Sequence, residues 1–86
     1  MDIKTLNSKI KKKILANISC SSILIEDKTF LHAKHKSHDK GKFHLKIIID
    51  SKELSCLNKI DSNKKIYNIL SEEMKQYIHS IQIQIL

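Results

Sequence analysis

Four of the five histidines fall within thirteen residues, His32, His35, His38 and His44, and the intervening residues are mostly lysine, serine and aspartate. Neutral imidazole is the commonest metal ligand, and it is also the side chain that titrates nearest physiological pH. The spacing His-x2-His-x2-His would place three nitrogens on one flexible segment, a known pattern for zinc. No carboxylate is placed to act as base for a bound water, because Asp39 is flanked by lysine-rich sequence. The histidines therefore suit metal or partner binding and not catalysis, and the chain reads as a non-enzyme.

The cysteines offer less. Cys20 and Cys56 are 36 residues apart and outside any CxxC pattern, so neither a zinc knuckle nor a thioredoxin-type redox pair is expected. Reduced thiols fit a cytoplasmic protein. No apolar run approaches the roughly 20 residues of a membrane span, and the lysine-rich start lacks the apolar segment of a secretory signal. The expectation is a protein of the bacterial cytoplasm without membrane contact, its lysine and isoleucine bias fitting an AT-rich genome.

The formal charge is +7, which by itself suggests nucleic acid or an acidic partner. Every basic residue is lysine, so the bidentate arginine contacts that read phosphate or guanine are missing. The aromatic residues are only Phe30, Phe43, Tyr67 and Tyr77, too few for a base-stacking platform.

The elements that must position the histidines follow from hydrophobic period. Ile3, Leu6, Ile10, Ile14 and Ile18 recur at helical spacing and predict an amphipathic helix over about residues 3 to 17. Ile23 to Asp27 suits a short first strand, and Lys28 to Lys42 has no period and reads as a long loop. Phe43, Leu45, Ile47 and Ile49 alternate with polar residues, apart from Ile48, and give a second strand with His44 on the side away from the core. Lys52 to Asp61 reads as a turn with one short helical turn. Asp61 or Ser62 is expected to cap a long helix that buries Ile66, Ile69, Leu70, Met74 and Tyr77 and turns Glu72, Glu73 and Lys75 to water. His79 is expected at that helix's C-terminus, before a strand over Ile81 to Ile85. At 86 residues the chain is one domain, 1–86. The order αββ(α)αβ predicts an α+β fold in two layers, a three-stranded sheet with helices on one face.

With these elements in place the sequence resembles the BolA family over nearly its whole length. Thr29-Phe30-Leu31-His32-Ala33-Lys34-His35 is similar to that family's Ser-His-x-His-Ala-Gly-His loop, and Gly41 with His44-Leu45 to its glycine followed by His-Phe. Ser51, Ile66-Tyr67, Leu70, Glu72-Glu73 and Ile78-His79-Ser80-Ile81 resemble further family positions in order. Two stretches depart from the pattern. Leu54-Ser55-Cys56 stands where the family has Phe-x-Gly, and Ser62-Asn63-Lys64 stands where it has Arg-His-Arg.

The resemblance implies a fold related to the type II K-homology domain and an accessory role beside a monothiol glutaredoxin. There the two proteins would share a 2Fe-2S cluster, held partly by the glutaredoxin cysteine and glutathione and used in cluster assembly, transfer or sensing. Neutral nitrogen ligands lower cluster charge and couple binding to pH. The resemblance places one ligand in the loop, at His32 or His35, and the second at the helix start, where Asn63 now stands and is a poor iron ligand. Either one ligand from this chain suffices, or Cys56 reaches the vacancy, or glutaredoxin binds without a stable cluster. The expected docking surface includes Leu54, Asn63, Lys64 and Lys65, with a monomeric chain in the apo state. The alternative is a nucleic-acid-binding transcriptional regulator acting on DNA, although the K-homology Gly-x-x-Gly clamp is absent from a chain with one glycine.

Overall fold

The structure, a computed structural model, describes residues 2–29 and 42–86. Its elements are helix α1 (Ile3–Asn17), strand β1 (Ser22–Asp27), strand β2 (Phe43–Asp50), helix α2 (Lys52–Ser55), helix α3 (Lys59–Ile69), helix α4 (Ser71–Gln76) and strand β3 (Ile78–Ile85). The fold is the expected α+β arrangement, with a mixed three-stranded sheet in the order β1-β2-β3.

β2 is central because it can be buried along one whole face. It pairs antiparallel with β1, Ile23 opposite Ile49 and Ile25 opposite Ile47, and parallel with β3, Leu45 opposite Ile81 and Ile47 opposite Ile83. A parallel pair needs a crossover of a dozen or more residues, and residues 51–77 supply it as three helices. Leu45, Ile47 and Ile49 are buried with Ile78 and Ile81 against Leu6, Ile10, Ile14 and Ile18 of the α1 stretch and against Leu54, Ile66 and Leu70 of the crossover. The other face of the sheet is bare of helices. There Leu24 aligns with Ile48 and Gln84, and Glu26 with Lys46 and Gln82, so Ile48 breaks the polar pattern beside a Leu24 that is 55% exposed.

Caps set the helix boundaries. Asp2 accepts from the Thr5 N–H at 2.8 Å and starts α1. Ser51, buried at the end of β2, accepts from the Leu54 N–H and donates its hydroxyl to the Ser19 carbonyl at 2.7 Å, which ties the crossover to the exit of α1. α3 begins earlier than expected because Asn58, not Asp61 or Ser62, is its cap, accepting from the Asp61 N–H at 2.8 Å. Ser62 is instead buried within the helix and donates to the Lys59 carbonyl. The long helix also breaks at Leu70, where the backbone leaves the helical region before α4.

Glu73 corrects a second expectation. It does not face water but is 1% exposed, and Lys13 of α1 reaches over it with Nζ 2.9 Å from Oε1, while Lys9 lies 3.6 Å from Oε2. Two lysines that looked like a solvated helix face thus fasten α1 to α4. Burial pushes the Glu73 carboxyl up, yet the Lys13 hydrogen bond, its own backbone N–H and the charges of Lys13 and Lys9 hold it below its ordinary value of 4.5. A carboxyl depressed on folding stabilises the native state fully above that ordinary value, and the contribution is lost as pH falls through the lower folded one. Urea unfolding of Glu73→Gln across a pH series is expected to show a loss of about 1 to 2 kcal/mol at neutral pH that shrinks on acidification. A deficit independent of pH would show that the ion pair is not its source.

Candidate functional site at the two ends of the outer strand

The ends of the histidine-bearing segment are anchored on β2. Thr29 donates its N–H to Asp27 Oδ1 at 2.9 Å, and its hydroxyl, also bonded to Asp27, accepts from the His44 N–H at 3.1 Å. The Lys28 N–H donates to the His44 carbonyl at 2.7 Å. On the far side, Phe43 donates to the Tyr77 carbonyl at 2.9 Å. His44 is thereby held between the chain entering the segment and the start of β3. His32, His35 and His38 themselves lie outside the described residues.

A register shift between Phe43 and His44 lets β3 place an extra residue opposite them. His44 consequently aligns with Ser80, and its Nδ1 lies 2.6 Å from the Ser80 hydroxyl. This bond fixes the orientation of the ring. The His79 ring stands with its centroid 4.8 Å from that of His44 at a tilt of 46°. His79 is thus not at a helix terminus but in β3, and His44 is buried, 6% exposed, where the alternation had suggested an open or partner-facing position. A bulge beside a functional side chain re-aims it in this way. Strict alternation could not reveal the pair, since the extra residue breaks the period. The signal that was available is the second histidine directly before the alternating strand.

Asn63 and Cys56 lie elsewhere. The start of α3, with Asn63, Ser62 and Lys59, packs beside Gln82 to Leu86 across a groove of about 600 Å³ also lined by Leu54, Ser55 and Leu57. One turn further along α3, the Tyr67 hydroxyl donates to the Ile81 carbonyl at 3.1 Å. Helix and strand therefore run in opposite directions, and each turn toward the helix start moves down β3 and away from His44. From Ser80 to Gln84 the separation is roughly 13 Å at about 3.3 Å per residue. The described residues join His44 with His79 at one end of β3, and Asn63 with the Cys56 turn at the other. They do not bring Asn63 to the ends of the histidine segment, and among them no group of three or more His, Cys, Asp or Glu is arranged to hold a metal.

The groove end has its own chemistry. Leu54, expected in a docking surface, is fully buried: the short α2 turns its one large apolar residue into the core, and the exposed apolar groups there are Leu57 and Ile60. Lys64 is exposed, but Lys65 is half-buried and bonded to Glu53. The Lys65 hydrogen bond and then the Ser19 N–H hold the Glu53 carboxyl below its ordinary value. Asn63 Oδ1 is buried without a hydrogen-bond donor among the described residues.

For a nitrogen-ligated metal or cluster, the donor set at the imidazole end fits. Two rings are close together, one is oriented by a serine hydroxyl in the manner of outer-shell support, and the segment carrying three further histidines leaves from beside them. The groove end fits poorly, its donors being an amide and one exposed thiol.

Comparison with known proteins agrees with this architecture. Residues 14–86 match the family model for BolA-like proteins. The chain is 26% identical over 86 residues to the chloroplastic protein BOLA1 of Arabidopsis thaliana, covering 94% of this chain and 52% of that protein, so it spans about half the length of that relative. It is 25% identical over 76 residues to the protein of Haemophilus influenzae named DNA-binding transcriptional regulator BolA, covering 88% of this chain and 71% of that one. Among solved structures, the BolA domain of SufE1 from Arabidopsis thaliana superposes with a TM-score of 0.78 at 21% identity, covering 99% of this chain and 92% of that one. Proteins of this kind are non-enzymatic. No helix among the described residues is long and apolar enough to cross a membrane. The match of residues 14–86 to the family model, on a fold shared with solved BolA domains, places this chain in the BolA family.

Proposed function

We propose that the chain is a BolA-like accessory protein that docks on a monothiol glutaredoxin and takes part in assembly, transfer or sensing of 2Fe-2S clusters. The observation that carries this reading is the His44 and His79 pair at the anchored ends of the histidine segment. His79 with His32 or His35 would hold the cluster on this side, His44 standing beside them, and the glutaredoxin cysteine and glutathione would supply thiolate. A bound cluster supplies electron storage, or a unit for transfer, at a potential raised by nitrogen ligation. Imidazole binds a metal only when neutral, so retention is coupled to pH and falls on acidification. Asn63, Lys64 and the exposed Leu57 belong to the docking surface in this reading, and Cys56 and Lys65 lie within its rim.

The test is reconstitution with glutaredoxin, glutathione, iron and sulfide, followed by the visible spectrum and the elution of a heterodimer. A spectrum unlike that of the glutaredoxin homodimer is expected. His79→Ala is expected to reduce cluster retention about tenfold or more while leaving apo docking measurable. Asn63→His is expected to leave retention unchanged, because that position faces the groove. Recovery of retention by Asn63→His, with no effect of His79→Ala, would overturn the assignment of ligands.

A second reading, a DNA-binding regulator, is favoured by the name of the Haemophilus influenzae relative and by the charge of +7. Oligonucleotide affinity that falls steeply with salt and does not vary with sequence is the expected result for a lysine surface alone. Sequence-dependent affinity that survives added salt would favour the regulator.

A further inference from the structure

β3 is an edge strand, with β2 on one side and no strand on the other among the described residues. Which backbone groups it leaves outward follows from one hydrogen bond: the Leu86 N–H donates to the Ile49 carbonyl at 2.9 Å. Backbone groups alternate sides along a strand, so those of Ile85, Ile83 and Ile81 point away from β2. The Ile81 carbonyl is taken by the Tyr67 hydroxyl. The N–H and C=O of Ile83 and Ile85 are left without a partner among the described residues, beside the groove lined by Leu57 and Asn63.

Natural edge strands are normally guarded by lysine, proline or inward charge. β1, the other edge, ends in Glu26 and Asp27. β3 carries no such guard, since the chain has no Asp, Glu, Lys or Arg after Lys75, although charged residues are frequent before it. Gln84 is flanked symmetrically by Ile83 and Ile85, so the strand presents the same Ile-Gln-Ile triplet in both directions about that residue. In a chain of charge +7, the strand itself brings no charged side chain to a second copy, although Lys59 lines the groove beside it.

We propose that β3 pairs antiparallel with β3 of a second copy about a two-fold axis through Gln84, giving a continuous six-stranded sheet. In that register Ile83 exchanges both backbone bonds with Ile85 of the second copy, and Ile85 with its Ile83. No bond is asked of the Ile81 carbonyl that Tyr67 occupies, which disfavours the alternative register centred on Ile83. The isoleucine side chains lie on the helix side of the sheet, where those of the second copy enter the groove lined by Leu57 and Asn63. The exposed Leu57 and Leu86, the latter 60% accessible, line that groove. The two Gln84 side chains lie on the helix-free face, directly opposite one another in a closely spaced pair.

Sedimentation equilibrium over a concentration series tests this. The wild-type chain is expected to dimerise, and Gln84→Lys, which alters an exposed side chain and keeps the fold by circular dichroism, is expected to weaken the dimer by about fivefold to tenfold. Added salt should recover part of that loss. Gln84→Glu should weaken self-association likewise, and an equimolar mixture of the two variants should recover a heterodimer. A wild-type chain that stays monomeric throughout, self-association indifferent to Gln84→Lys, or an edge occupied only by an unrelated extended peptide while the chain stays monomeric would each overturn the proposal.

Discussion

The parallel pairing of β2 with β3 governs what the rest of the chain can do. Because the two strands run the same way, residues 51–77 must travel back along the sheet, and three helices make that crossover over the apolar face. α3 consequently lies antiparallel to β3, with Tyr67 over Ile81 and Asn63 over the strand's last residues. α4 brings Glu73 beneath Lys13, so that the crossover and the first helix become one layer. If β2 and β3 were antiparallel, a tight turn would replace this crossover and neither the groove nor the clamp would exist.

The same pairing separates two kinds of chemistry along one strand. At its N-terminal end the bulge sets His44 against Ser80 and His79 beside the anchors of the histidine segment, a cluster of nitrogen donors with one ring buried and oriented. At its C-terminal end, beyond the Tyr67 bond, the strand shows uncharged side chains, and backbone groups unpaired among the described residues, against a groove of mixed polarity. The proposed cluster binding and macromolecular docking would therefore draw on different residues of β3, and a substitution at one end need not disturb the other.

Much of the fold was legible because hydrophobic period reports burial. The α1 stripe of Leu6, Ile10, Ile14 and Ile18 and the alternation in β2 led to the correct elements and the correct core. What period could not report was anything that depends on a partner distant in sequence. Glu73 follows the polar positions of its helix, and its burial is visible only once Lys13, sixty residues away, is placed over it. His79 follows a helical stretch and could be assigned to its end, because a bulge leaves no regular pattern. Leu54 sits in a turn-like sequence where exposure is the default, yet the Ser51 cap turns α2 inward.

Asn63 takes on a different meaning in this geometry. The resemblance made it a lost ligand, but its neighbours are Ser62, bonded to the Lys59 carbonyl, and the last residues of β3. A ligand is defined by the donors it can join, and the donors at this end are few. A groove is defined by shape and polarity, and exchanging Arg-His-Arg for Ser-Asn-Lys shortens the first two side chains and buries an amide oxygen beside the strand edge. The departure from the family pattern thus alters the groove beside the end of β3 and leaves the imidazole end intact. Under the proposed docking role its consequence would lie in the choice of partner, since discrimination between partners rests on such differences in fit and unsatisfied polarity.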